Sequence, residues 1–142
     1  LDSLIDEAQQ TVSPESVEPV IQTIEKGWTQ YEYFFDQLRS PKWITPLYER
    51  DFFKIPPLPQ VEGDREFWGR WPESRYLQRV ADKAPELVAE IFLKMPDTDN
   101  PFVHSDVVES ALKMPGKLAL KIFSCAVTIS YSNLLKIIFL FL

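Results

Sequence analysis

The clearest pattern in the chain is a stripe of apolar residues at Val17, Ile21, Ile24, Trp28, Tyr31, Phe35 and Leu38. The steps alternate between four and three residues, the period of one helical face. This spacing predicts one long amphipathic helix over 13–38 with Trp28 in the core. Ser13 or Ser16 can cap its start, Pro14 fits the first turn, and Pro19 does too if the helix starts near Ser16. Gly27 then lies mid-helix, at a cost of about 1 kcal/mol relative to Ala. Before it, Leu4, Ile5 and Ala8 share a face of a shorter amphipathic segment.

After the Arg39-Ser40 corner, Ser40-Pro41 reads as a cap followed by proline at the first helical position, and Trp43, Ile44, Leu47 and Tyr48 give a short helix face. The two helices are expected to pack as an antiparallel pair, with Phe52 and Phe53 plugging its end. Residues 54–72 read as an ordered connector. Pro56, Pro57 and Pro59 favour extended geometry, Gly63 and Gly69 mark turns, and Trp68 and Trp71 tuck inward rather than stay in water.

From Pro72 onward, prolines divide the chain into short periodic segments. Tyr76, Leu77, Val80 and Ala84 give one face. Leu87, Val88, Ile91, Phe92 and Met95 give a second after Pro85. Val103, Val107, Val108, Ala111 and Leu112 give a third after Pro101. The predicted fold is all-α: a single domain over 1–142 of antiparallel helix pairs stacked as a short solenoid-like array. Its parts are a long and a short helix in 1–53, the connector 54–72, short repeat helices in 73–115 and an apolar terminal helix in 116–142.

Composition supports helices broken by proline: 12 Pro against 4 Gly leave few residues for the tight turns of a sheet protein. The net charge of −6 opposes binding to a nucleic-acid backbone. After residue 115 the charge reverses, with Lys117, Lys121 and Lys136 and no acid, and the chain ends KIIFLFL. Three readings fit this tail: a buried final helix, a truncated end whose covering repeats are missing, or a membrane anchor through 117–142 with lipid contact over 122–142. The chain starts at Leu1 without a signal-peptide pattern, which reads as a processed chain or a fragment. Cys125 is its single cysteine, which excludes an internal disulfide framework and fits a reducing compartment such as the cytoplasm.

Ala84-Pro85-Glu86-Leu87-Val88 through Met95-Pro96, and Asp99-Asn100-Pro101 through Met114-Pro115, form two segments that open after a proline and end in Met-Pro. This pattern resembles HEAT or armadillo-type helical repeats, over about residues 72–115. The resemblance implies an α-solenoid scaffold that binds another protein, or the rest of a longer chain, along its helix surfaces. It implies no cofactor and no catalysis.

Candidate chemistry is sparse. Asp97-Thr98-Asp99-Asn100 imitates the start of a calcium loop, but Phe102 and Val108 occupy the positions that need Gly and Glu, so it reads as a capped corner. His104 is the single histidine, and neither a zinc site nor a nucleophile relay assembles around it in sequence; it reads as a surface or hydrogen-bonding residue of a helical first turn. Pro56-Pro57-Leu58-Pro59 has PxxP spacing and reads as a rigid connector. The expected partner-binding patch is the arginine-tryptophan cluster Arg65, Trp68, Arg70, Trp71, Arg75 and Arg79. Asp64, Glu66, Glu73 and Asp82 interleave with it, and its alternative reading is a salt-bridged, Trp-packed junction.

Overall fold

The structure, a computed structural model, describes residues 2–126. The described residues form eight α-helices and one small hairpin, an all-α fold. The helices are α1 (Asp2–Gln10), α2 (Pro14–Ile24), α3 (Trp28–Gln37), α4 (Ile44–Glu49), α5 (Pro72–Val80), α6 (Pro85–Lys94), α7 (Pro101–Ala111) and α8 (Gly116–Ala126). A 3-10 turn at Pro41–Trp43 leads into α4, and strands β1 (Gln60–Glu62) and β2 (Arg65–Phe67) lie between α4 and α5. Proline opens α2, the 3-10 turn, α5, α6 and α7, where its missing N–H has no partner to lose.

The single helix expected over 13–38 is instead two. Ser13 caps α2 through a reciprocal box with Ser16, which places Pro19 inside the helix rather than in its first turn. The chain leaves α2 at Glu25, extends at Gly27, and re-enters a helix at Trp28. The break turns the stripe outward. Phe35 is buried, Tyr31 half-buried, and Trp28 is 62% exposed. Trp28 is thus the outer end of an aromatic ladder, stacked on Tyr31 at 5.7 Å, with Tyr31 in turn 5.0 Å from Phe35.

The core lies around Phe34, Phe35, Trp43 and Tyr76. Trp43 meets Phe34 edge-on at 5.3 Å, and its Nε1 donates to the Ala8 carbonyl at 2.9 Å, which ties α1 to the 3-10 turn. Helix α4 ends in a left-handed residue, Asp51, with φ 66°. The Phe52 N–H bonds the Leu47 carbonyl and the Asp51 N–H that of Tyr48, both at 3.1 Å, the pairing of a Schellman cap. That cap turns the chain so that Phe53 is buried and Phe52 half-buried.

The connector holds more structure than expected. β1 and β2 pair antiparallel with Glu62 opposite Arg65, leaving a two-residue loop. Gly63 opens the loop at φ 59°, the left-handed position that a tight hairpin turn requires. Trp71 is buried as expected, whereas Trp68 is half-buried.

Helix α3 packs on α2 and α5, and α5 packs on α7, α6 on α8, and α7 on α8. In the third face, Val103, Val107, Val108 and Ala111 are buried while Leu112 is exposed; in the second, Leu87 is exposed. Helix α8 buries Ile122 against this group. The remainder of the apolar tail, 127–142, lies outside the described residues, and with it the readings of that stretch as final helix, truncated end or anchor. Among the described residues no helix is long and apolar enough to cross a membrane.

Candidate functional site

Helix α5 places two of the candidate residues, Arg75 and Arg79. Its Pro72 start and the periodic Tyr76, Leu77 and Val80 fix one face against the core, and the remaining faces carry charge. Arg75 and Arg79, one turn apart, project with Arg70 into a cleft of about 290 Å³ between α3 and α5. Phe35, Glu32 and Asp36 of α3 line the opposite side.

The three arginines differ in what already engages them. Arg79 Nη1 donates to the carbonyls of Phe35 and Leu38, both at 2.8 Å, so it closes the C-terminal end of α3. Burial and the neighbouring Arg39 charge lower its pKa. The same corner is held by the Tyr76 hydroxyl, which donates to the Ser40 carbonyl at 2.7 Å. Arg70 lies over the Phe102 ring with its guanidinium carbon 4.8 Å from the centroid. Neither Arg70 nor Arg75 makes an ion pair among the described residues.

The six residues expected to form one patch occupy four places. Arg70, Arg75 and Arg79 share the cleft. Arg65 is exposed on β2 opposite Glu62. Trp68 lines a second cavity of about 580 Å³ with Pro56, Leu58, Pro96 and Asp97. Trp71, 4% exposed, forms part of the wall of a third, about 470 Å³, beside Trp28 and Tyr31.

The opposite side of α5 faces α7 and is polar. Ser74 donates to Asp106 Oδ2 at 2.6 Å, and Ser110 donates to the Asp106 carbonyl at 2.6 Å. Burial raises the Asp106 carboxyl to about 6, against the lowering effect of the Ser74 bond. Glu73 is 4% exposed, and its Oε2 has no hydrogen-bond partner. Burial pushes its pKa up to about 8, so the side chain is largely uncharged at neutral pH. Sequence reasoning saw Glu73 as one of several acids around the arginines. The signal that could have singled it out is positional: it stands three and four residues before Tyr76 and Leu77, on their buried face.

The Asp97–Asn100 corner caps α7. Asn100 Oδ1 accepts from the N–H groups of Phe102 and Val103, and its Nδ2 donates to the Gly69 carbonyl at 2.9 Å, tying the connector to α7. His104 is buried rather than on the surface; Nε2 donates to the Thr98 carbonyl, and Nδ1 has no partner. Among the described residues no group of three or more His, Cys, Asp or Glu side chains could hold a metal ion.

The chain matches no protein-family model, no curated protein and no solved structure.

Proposed function

We propose that this chain is a non-catalytic helical-repeat scaffold that binds an acidic segment of another protein in the arginine cleft between α3 and α5. The observation that carries this reading is the convergence of Arg70, Arg75 and Arg79 on one cleft, with Arg70 and Arg75 free of ion pairs among the described residues. Guanidinium groups present planar, paired donors suited to carboxylates, and a ring beneath Arg70 holds it in place before a ligand arrives. Glu32 and Asp36 across the cleft would favour a segment that also carries a hydrogen-bond donor, which makes the site selective rather than generally anion-binding.

The repeat reading draws support from the order of packing. Helix α5 contacts α7, α6 contacts α8, and each neighbouring pair from α5 to α8 is in contact, as stacking of successive helix hairpins would require. The cytoplasm is the compartment that suits this role and the single cysteine.

The test uses a Glu/Asp-rich peptide titrated into the full chain, followed by NMR on arginine side-chain N–H signals. Shifts at Arg70 and Arg75, abolished by R70E/R75E and absent with a Lys-rich peptide, are expected. Equal response to both peptides, or none to the acidic one, would overturn the reading.

A further inference from the structure

The cavity of about 470 Å³ beside the arginine cleft has a different chemistry. Three aromatic side chains, Trp28, Tyr31 and Trp71, line it, and Glu73 and Glu25 supply its acids. Its volume falls within the ~300–1,000 Å³ range of small-ligand pockets. Trp28, which a core role would have buried, presents its ring here at 62% exposure and is stacked on Tyr31. Glu73 is the second, independent observation: a residue only 4% exposed, in the same wall, with Oε2 buried and unpartnered. A cation placed beside a buried carboxyl favours its charged form and offsets the desolvation that burial imposes on it.

We propose that this cavity binds a small quaternary ammonium compound, its cationic head against the Trp28, Tyr31 and Trp71 rings and beside Glu73, whose carboxyl gives its proton to solvent on binding and becomes the counter-ion. Aromatic faces attract cations through their quadrupoles, most strongly where water is excluded. A primary ammonium brings three N–H donors and would need three acceptors, whereas a quaternary one needs none, which suits a wall of rings and few polar atoms. Arg70 is the one basic residue in the lining, and its guanidinium is held over Phe102. The site shares only Arg70 and Pro72 with the arginine cleft and does not depend on the function proposed there.

The experiment is calorimetric titration of the full chain with choline and with 3,3-dimethylbutan-1-ol, its uncharged isostere. Choline is expected to bind at least about tenfold more tightly than the alcohol, the scale of a desolvated cation–π contact. Glu73→Gln and, separately, Trp28→Ala should each weaken choline by about tenfold while Arg75→Ala leaves it unchanged. Trp28 is on the surface, so its variant tests the site even if Glu73→Gln perturbs folding, which circular dichroism checks. Equal affinity for the two compounds, no choline binding, or choline binding indifferent to Trp28→Ala would each overturn the proposal.

Discussion

The two sides of α5 solve the problem of burial in opposite ways. Toward α3, Tyr76 is buried edge-on against Phe35, and its hydroxyl finds the Ser40 carbonyl; Arg79 finds two more carbonyls at the same corner. Toward α7, the helix buries Ser74 against Asp106; in the same turn, beside the cavity lined by Trp28 and Tyr31, Glu73 keeps one oxygen unpaired. The first side directs its polar atoms to backbone carbonyls at the end of α3, which offsets the cost of burying them. Asp106 and Glu73 are instead retained in a low-dielectric setting, where burial disfavours their charged forms. One helix therefore carries a structural joint and a strained, chemically responsive seam, one turn apart.

The comparison breaks most sharply at Trp43, which belongs to the joint. It is fully buried, edge-on to Phe34, and its indole N–H is the link to α1. Trp43→Ala is expected to cost about 3–5 kcal/mol in denaturant unfolding, enough to unfold much of a marginally stable domain. A loss below about 1 kcal/mol would place the core elsewhere.

The seam should show itself through pH. Glu73 rises from 4.5 to about 8 and Asp106 from 3.8 to about 6 on folding. Below the lower values both native and unfolded chains hold these protons, and the groups contribute their full stability. As pH rises, the unfolded chain releases its protons first, so stability falls until each group's native pKa is passed. Glu73 alone gives a slope of about 1.4 kcal/mol per pH unit, or about 3 kcal/mol between pH 5 and 7. Glu73→Gln, neutral throughout, should flatten the Glu73 part of this fall and make the variant the more stable form at pH 7. Thermal melts across pH 4 to 8 measure it; a wild-type stability that rises with pH over this window would show that Glu73 is ionised in the folded protein.

These two sides were unequally legible in the sequence. Proline starts and the 3.6-residue period located α5, α6 and α7, because a missing N–H and an apolar face are local properties. Asn100 was readable as a cap for the same reason. The stripe from Val17 to Leu38 was misleading: spacing records which residues would share a face if the helix were continuous, and it cannot register a three-residue break at Glu25, Lys26 and Gly27. The hairpin at 60–67 was hidden because Gly63 reads as a turn, while the strands around it are three residues each and exposed. The arginine group was legible as residues and not as a place, since Arg65 and Trp68 are separated from Arg70, Arg75 and Arg79 by the path of the connector. The aromatic cavity was illegible altogether. It needs Trp28 to face outward and Glu73 inward, the reverse of what residue type alone implies.

A smaller test separates packing from hydrogen bonding within the joint. Tyr76→Phe keeps the ring and removes only the donor to Ser40, leaving that carbonyl part-buried. The expected cost is about 1 kcal/mol, visible as a shifted denaturation midpoint at constant slope. A cost as large as that of Trp43→Ala would mean the hydroxyl, not the rings, holds the corner together.

The smallest expected effect is also the one that distinguishes the two ends of the aromatic ladder. Trp28 belongs by spacing to the same stripe as Phe35, yet the break at Glu25, Lys26 and Gly27 leaves it 62% exposed with Tyr31 as its ring contact. Burial of so little of its surface stabilises weakly, and truncation leaves no enclosed void, so Trp28→Ala should cost under about 1 kcal/mol. The same measurement on Phe35→Ala, at the buried end, should give about 3–5 kcal/mol. A large loss at Trp28 would mean that the ring is covered in solution and the helix break closed. A small loss, joined to a lost response to choline, would mean that a residue spaced for the core is exposed for a ligand.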